Sequence, residues 1–250
     1  MKRMRLLWLK PKRTAEALAT EEAILRLRLE GKSPSTLCFW RGEKCLNLGF
    51  NPVREKVNFP LCEELGIPVC RRQSGGGVIY QESGNLNYSL IAKKGELSLS
   101  NGFRSIGEAI DSAVVSALRA IGLDARLMAK GGAEVNGKKI SGSAQFMLWD
   151  SFIHHGVIAV DTNVEMIYEL LPLSKVKVTT VERELGRRVN FEELADKIIN
   201  EFARALGVEF CLGVVADEEV SLVNELLRLK YLSCEWTRVD KCQKLEWNSS

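Results

Sequence analysis

RRQSGGGVIYQESGNLNYS, residues 71–89, is the stretch on which the reading of this chain turns. It joins two arginines, three consecutive glycines and a strand-like run ending in Gly-Asn-Leu-Asn-Tyr-Ser, a combination that packing alone rarely demands. Three glycines in a row weaken a helix or strand through lost backbone entropy. They belong where the backbone adopts unusual dihedrals or lies flat against something bulky. Arg71 and Arg72 stand at the opening, and guanidinium forks suit carboxylate or phosphate. The stretch reads as a ligand-binding wall, the plainer alternative being a glycine-rich hairpin loop with two solvated arginines.

A second stretch, GGAEVNGKKISGSAQ at residues 131–145, repeats that logic. Ser141, Gly142, Ser143 and Ala144 are four small residues on an otherwise apolar strand, which lets a ligand lie on the backbone, and Lys139 comes just before them. Taken alone, Lys139 is as well read as a solvent-facing edge-strand lysine. Paired with the first stretch, it becomes a cation beside a small-residue floor, which is what an anionic leaving group needs. Neither stretch has the GxxxxGK[ST] or GxGxxG spacing, so a nucleotide would bind here on a sheet and in another fold.

Working outward, hydrophobic spacing predicts helices over residues 14–29, 57–65, 103–121, 164–171, 191–206 and 217–229. In the first, Ala15, Ala17, Leu18, Ala23, Ile24 and Leu27 fall at helical spacing, which assigns Glu21 and Glu22 to a solvated face. Strands are predicted over 4–9, 36–40, 46–50, 69–72, 78–80, 86–92, 125–128, 146–149 and 151–160. Arg41-Gly42-Glu43-Lys44 reads as a hairpin turn, Asn136-Gly137 as a strong two-residue hairpin and Asp150 as a third turn. Residues 175–180, basic and β-branched, suit a surface strand or mobile loop, and the polar end 241–250 is expected to fray. Elements alternate irregularly without a repeat period. The expected fold is α+β, with a mixed, largely antiparallel sheet flanked by helices, in one domain over 1–250 whose 217–250 portion is a loosely packed helical tail.

At 250 residues, 46% hydrophobic and 27% charged, the chain can bury a substantial core. Its net charge of +3 is spread over 35 basic and 32 acidic residues, which gives nucleic-acid or membrane-surface binding no support. The N-terminal MKRMRLLWLKPKR has too short an apolar core for a signal peptide, and the expected location is cytoplasmic. Seven cysteines without a CxxC pair fit that compartment, and none lies between Cys70 and Cys211.

Trp40 and Arg41 within residues 37–51, RRQSGGG at 71–77, GNLNYS at 84–89, VNGKKISGSAQ at 135–145 and His155-Gly156 follow in an order that resembles the lipoate–protein ligase A family. That family sits within the wider biotin/lipoate ligase and octanoyltransferase superfamily. The resemblance implies a class II aminoacyl-tRNA synthetase/biotin–lipoyl ligase-like fold with an acyl tunnel against the sheet, for which Val78, Leu86 and Ile140 are candidates. It implies two steps. Lipoate (or octanoate) and ATP, with Mg2+, form an acyl-AMP and pyrophosphate; a lysine ε-amine of a lipoyl carrier domain then displaces AMP. The implied carriers are the 2-oxoacid dehydrogenase acyltransferase subunit and the glycine cleavage H protein.

Lys139 is the implied catalytic residue, a fixed cation for charge on the α-phosphate and acyl oxygen. The implied substrate and cofactor contacts are Arg71, Arg72, Ser74, the amides of Gly75, Gly76 and Gly77, Gln81, Asn85, Ser141, Gly142, Ala144, His155 and Gly156. Mg2+ would bridge ATP phosphates with few protein ligands, and no residue is assigned to metal. Where the family has His-Asp after the glycines, this chain has Gln81-Glu82, which keeps hydrogen bonding but removes a titratable ring. The chain ends near the point where bacterial ligases of the family continue into an accessory domain. Resemblance to two-component archaeal ligases implies a separate small accessory subunit for activation.

The nearest rival is an octanoyl- or lipoyl-transferase between carriers, which needs a nucleophilic thiol near Lys139. The cysteine-free span from 71 to 210 argues against it. A non-catalytic subunit that binds a lipoyl carrier is the other alternative.

Overall fold

The computed structural model describes residues 2–51, 57–97 and 102–237, with the side chains of 102–104 excepted; Cys242 and the polar end at 241–250 lie outside the described residues. The chain opens with β1 (Lys2–Leu9), α1 (Thr14–Leu29), β2 (Thr36–Trp40), β3 (Cys45–Leu48), α2 (Phe59–Glu64), β4 (Val69–Arg71), β5 (Val78–Gln81) and β6 (Asn85–Lys93). Next come α3 (Gly102–Ala120), β7 (Ala125–Leu127), β8 (Ala133–Val135), β9 (Lys138–Lys139), β10 (Ser141–Leu148) and β11 (Ser151–Ala159). It closes with α4 (Val164–Leu170), α5 (Val181–Leu185), α6 (Phe191–Leu206), β12 (Val208–Leu212), α7 (Asp217–Leu226) and α8 (Cys234–Thr237).

Six strands form the main sheet in the order β10-β11-β6-β2-β1-β12. The pairs from β10 to β2 are antiparallel, and β1 runs parallel to both β2 and β12, so the sheet is mixed. The apolar stripe of α3 and that of α6 cover one face through Ile110, Val114, Leu118, Ile198 and Phe202. Fully burying a side chain of this size contributes about 1.5–3 kcal/mol, so this layer is the main source of cohesion. Asn190 caps α6 by accepting from the Glu192 and Glu193 amides, and Gly207 ends it at φ +66°. The other face is covered by α1, with Ile24 and Leu25 packed on Leu7, Cys38, Ile91 and Ile153.

Two small sheets sit beside the main one and carry the two glycine stretches. β4-β3-β5 holds residues 72–77 in its β4–β5 connection, and β7-β8-β9 ends at Lys139. Asn136-Gly137 forms the expected tight turn, with φ +52° and +70° and Val135 opposite Lys138. The Arg41–Lys44 hairpin is not formed: β2 joins the main sheet and β3 the small one, so the two strands do not pair. Two elements arise without an evident sequence signal, the short α5 and the edge strand β12.

Glu21 and Glu22 are not solvated. Both are 2% exposed, because apolar and small residues surround nearly the whole of α1 and leave no face for water. Glu22 accepts from Arg26 at 2.6 Å, Lys230 at 2.6 Å and the Tyr231 hydroxyl at 2.5 Å. These bonds tie the C-terminal stretch to α1, up to residue 237. Among the described residues, no helix is long and apolar enough to cross a membrane.

Candidate active site

The glycine stretch and the small-residue strand face each other. A Cβ built on Gly76 would lie 4.0 Å from the Ala144 Cβ and 3.0 Å from Arg72 Nη2, and Gly76 itself sits at φ +88°. Gly75 and Gly77 have open space where a side chain would be. A Cβ on Gly49 would lie 2.2 Å from the Gly76 carbonyl oxygen, so two backbones approach more closely there than any other residue allows. The Gly49 and Phe50 amides donate to the Gly77 and Ser74 carbonyls at 3.0 and 2.8 Å, which fastens the loop to the end of β3. Beside it opens a cleft of about 410 Å³ lined by Phe50, Asn51, Gln73, Gly75, Gly76 and Phe146.

Arg72 has a use that the sequence did not disclose. Its guanidinium donates to the Gly75 carbonyl at 2.8 Å, the Gly77 carbonyl at 2.9 Å and the Asn47 carbonyl at 3.1 Å. It holds the loop in shape from behind, with burial pushing its pKa down to about 10. The pair of arginines is thus divided. Arg71, also buried, has its guanidinium carbon 5.8 Å from the Phe50 ring centroid and 5.9 Å from that of Trp236.

Lys139 ends β9 and is bracketed by the segment 177–179: its amide donates to the Lys177 carbonyl at 2.7 Å and its carbonyl accepts from Thr179 at 3.0 Å. Residues 175–180 thus form a strap over Lys139 with a single β-bridge at Val178. The Lys139 side chain lies along Gly142, where a Cβ would stand 2.9 Å from Cε and 3.0 Å from Nζ. Burial, then the nearby Arg72 guanidinium, lowers the Lys139 pKa, and Asp111 partly opposes this.

On β10, side chains alternate between the two faces of the sheet. Ser143 turns away from the glycine loop and donates to Asp111 on α3 at 2.9 Å, whereas Gly142 and Ala144 face Lys139 and Gly76. Ser141, next to Ile140, is buried at 2% exposure. Directly across from Ala144 in register stands His155. Its Nδ1 is 2.8 Å from Glu21 Oε2 and its Nε2 is 2.6 Å from Ser74 Oγ. A carboxylate can only accept, so Nδ1 donates to Glu21, and the ring bridges α1 to the glycine loop. Glu21 also accepts from Trp40 Nε1 at 3.0 Å and from the Ser89 hydroxyl. The network thus joins α1, β2, β6, β11 and the glycine loop. Glu21 is the member that sequence reading missed, and the encircling apolar pattern of α1 was the available signal.

Several expected contacts turn inward. Gln81 is 2% exposed and donates to Asn87 Oδ1 at 2.7 Å, while Asn85 accepts from the Glu82 amide at 3.0 Å and closes a turn. Gly156 leaves room for Tyr88, whose hydroxyl oxygen would lie 2.3 Å from a Cβ there. Leu86 and Ile140 are core residues at 0% and 1% exposure, and Val78 packs on the apolar cluster around Leu46 and Tyr80. Phe50 and Phe146 are the apolar walls of the cleft instead. Among the described residues, no group of three or more His, Cys, Asp or Glu side chains is placed to hold a metal.

Cys38, Cys45, Cys62 and Cys70 are buried and free, and burial raises the Cys38 and Cys70 pKa values well above the ordinary thiol range and that of Cys62 to about 11. Cys211 lies on β12, at the opposite edge of the sheet from β10. Cys234 is disulfide-bonded.

Comparison with known proteins identifies the family. Residues 13–203 match the family model of the lipoyl protein ligase A/B catalytic domain. The chain is 30% identical to lipoate-protein ligase A subunit 1 of Thermoplasma acidophilum, over 90% of this chain and 92% of that one. It is 26% identical to octanoyltransferase LipM of Brevibacillus brevis, over 88% and 92%. A crystal structure of a lipoate-protein ligase A bound with ATP superposes with a TM-score of 0.84 at 28% identity, covering 95% of this chain and 98% of that one. A bi-partite lipoate protein ligase of T. acidophilum, studied with its E2 lipoyl domain, gives 0.84 at 26% identity, covering 98% and 100%. The chain belongs to the lipoyl protein ligase A/B catalytic-domain family, and it is an enzyme of that family.

Proposed function

We propose that this protein is a lipoate–protein ligase that activates lipoate with ATP and passes the lipoyl group to a lysine of a lipoyl carrier domain. The observation that carries the reading is the opposition of Gly76 and Ala144 beside a cleft, with the Lys139 ammonium along Gly142 at its flank. The open space beside Gly75 and Gly77 leaves room for phosphate oxygens to approach the main chain. Lys139 supplies a fixed positive charge where the carboxylate oxygen attacks the α-phosphorus and pyrophosphate leaves with the bond's electron pair. Its partial burial strengthens that interaction relative to water. Phe50 and Phe146 offer an apolar surface for the acyl chain. Mg2+ would be carried chiefly by the ATP phosphates.

In the second step the carrier amine forms the C–N bond at the acyl carbon, AMP departs with the C–O electron pair, and Lys139 balances its growing charge. The likeness to the bi-partite archaeal ligase supports a small accessory subunit for activation and an E2-type lipoyl domain as acceptor; the glycine cleavage H protein is a further candidate acceptor. A second reading, acyl transfer between carriers, draws on the likeness to octanoyltransferase LipM. It requires a thiolate beside Lys139, and among the described residues burial disfavours the thiolate at Cys38, Cys62 and Cys70. The test is mass-spectrometric detection of lipoyl-AMP from lipoate and Mg-ATP, with and without the accessory subunit. Its absence in both cases, together with acyl transfer from an acylated carrier, would replace the first reading with the second.

A further inference from the structure

Asp111 projects from α3 onto the back of the small-residue strand and is only 4% exposed. A carboxylate buried in that layer is costly unless it is bonded, and its partners belong to the elements around Lys139. Its Oδ2 accepts from the Ser143 hydroxyl at 2.9 Å, its Oδ1 stands 3.3 Å from His154 Nε2, and the Gly132 amide donates to it. Burial opposes its ionisation, yet His154, the Gly132 amide and Ser143 together outweigh burial and hold its pKa below the usual carboxylate value. Asp111 is therefore an anion at neutral pH.

The turn that Asp111 holds is the entry to Lys139. Gly131 and Gly132 sit at φ +84° and +83°, and a Cβ on Gly131 would lie 2.9 Å from Ser143 Oγ and 3.1 Å from Asp111 Oδ2. A Cβ on Gly132 would lie 2.3 Å from the Ser141 carbonyl oxygen and 2.9 Å from the Gly142 Cα, so the turn is pressed against β10 with no room for a side chain. β8 begins one residue later, and its Glu134 pairs in register with Lys139. The Lys139 side chain then returns along the same Gly142. Asp111 and Lys139 are thus brought to one short length of the edge strand β10, where opposite charges attract.

Arg72 acts from the glycine loop in the opposite sense. Burial, then Arg72, disfavours the Lys139 ammonium, and Asp111 is the acidic group that favours it. The remaining titratable groups on the elements around Lys139 are Glu134, Lys177 on the strap, Lys138 paired with Glu184 at 3.0 Å, His154 beside Asp111 and His155 bonded to Glu21.

We propose that Asp111 is a positioning residue of the reaction: it seats the Gly131-Gly132 turn on β10 and supplies, near Lys139, the negative charge that offsets Arg72. This rests on the ligase reading, in which Lys139 is the working cation. Asp111 stands behind the strand and acts through Lys139. Removing the anion leaves burial and Arg72 unopposed, so the ammonium is lost at a lower pH than in wild type.

The test compares wild type, Asp111→Asn and Ser143→Ala. Each is reductively methylated with isotopically labelled formaldehyde, and the Lys139 NMR resonance, assigned with Lys139→Arg, is followed through the alkaline range. The pH profile of lipoyl-AMP formation is measured on the unlabelled proteins. Asparagine keeps the shape of aspartate without its charge, and Asp111→Ser, also neutral, takes its place if that variant melts early. Asp111→Asn is expected to lower both the Lys139 titration midpoint and the alkaline limb of the rate by roughly one pH unit. Ser143→Ala loses a hydroxyl, keeps the anion and is expected to move neither. A folded Asp111→Asn that leaves both in place, or an equal shift in Ser143→Ala, would overturn the proposal. Wild type that forms no lipoyl-AMP, with or without the accessory subunit, would instead overturn the ligase reading, and the Lys139 resonance would still show whether Asp111 sets its charge.

Discussion

Gly76 and Ala144 come from separate small-residue stretches, and the fold places them 4.0 Å apart, measured from a Cβ built on the glycine. Lys139, Arg72 and the cleft are all arranged around that approach, so the expected effects of substitution can be derived from it.

Gly76→Val should close the space between the loop and β10. The added side chain meets Arg72 Nη2 at 3.0 Å and Ala144 at 4.0 Å, and φ +88° is strained for valine. Lipoate binding measured by calorimetry should be lost, with a cost to stability of about 1–3 kcal/mol. Unchanged lipoate affinity would count against the glycine wall.

Lys139→Ala should abolish lipoyl-AMP formation with the fold intact, since the proposed role is charge and the side chain lies along the open edge of Gly142. Burial and Arg72 lower its pKa, so the active ammonium is lost as pH rises through a value below that of an ordinary lysine. In wild type, adenylate formation should therefore fall off at a lower alkaline pH than an ordinary lysine would give. A rate that is flat through the alkaline range, or near-normal activity in the alanine variant, contradicts the assignment.

Gly156→Ala separates packing from ligand contact. A methyl group there would lie 2.3 Å from the Tyr88 hydroxyl oxygen in the core, so stability should drop by about 1–3 kcal/mol in urea denaturation. A variant as stable as wild type would show that Gly156 does something other than make room for Tyr88.

Acid stability should depend on Glu219, which pairs with Arg5 at 2.5 Å and accepts from Ser33 at 2.5 Å. Burial opposes ionisation, but the bonds from Arg5, Ser33 and the Ala216 amide outweigh it and hold the pKa below the usual carboxylate value. A depressed folded pKa gives stability that is present above the unfolded value of about 4.3 and is lost as pH falls through the folded one. Glu219→Gln should cost about 3 kcal/mol at neutral pH and flatten the acid limb of the stability curve. Parallel acid limbs in variant and wild type would contradict this.

The parts legible in the sequence were those set by local chemistry. The stripe of α3, the Asn136-Gly137 turn and the two small-residue stretches each announce themselves within a few residues. What stayed hidden depends on partners distant in the chain. Glu21 and Glu22 look like a solvated pair until His155, Trp40, Lys230 and Tyr231 arrive from later elements. Arg72 has the composition of an anion ligand, and only the folded loop reveals that carbonyls occupy its fork. β2 and β3 are separated by a turn-like tetrapeptide, yet β2 finds its partners in β6 and β1. Val78, Leu86 and Ile140 were apolar and near the motifs, but apolarity does not distinguish a core residue from a tunnel wall.

The central claim is that this cleft joins lipoate to a carrier lysine at the expense of ATP. The most direct measurement is the mass of a purified lipoyl domain after incubation with this protein, lipoate and Mg-ATP, with and without the accessory subunit. The account predicts a mass increase of one lipoyl group that requires ATP and is absent with Lys139→Ala. No increase under either condition, alongside acylation of the same domain from an acylated carrier without ATP, would contradict it.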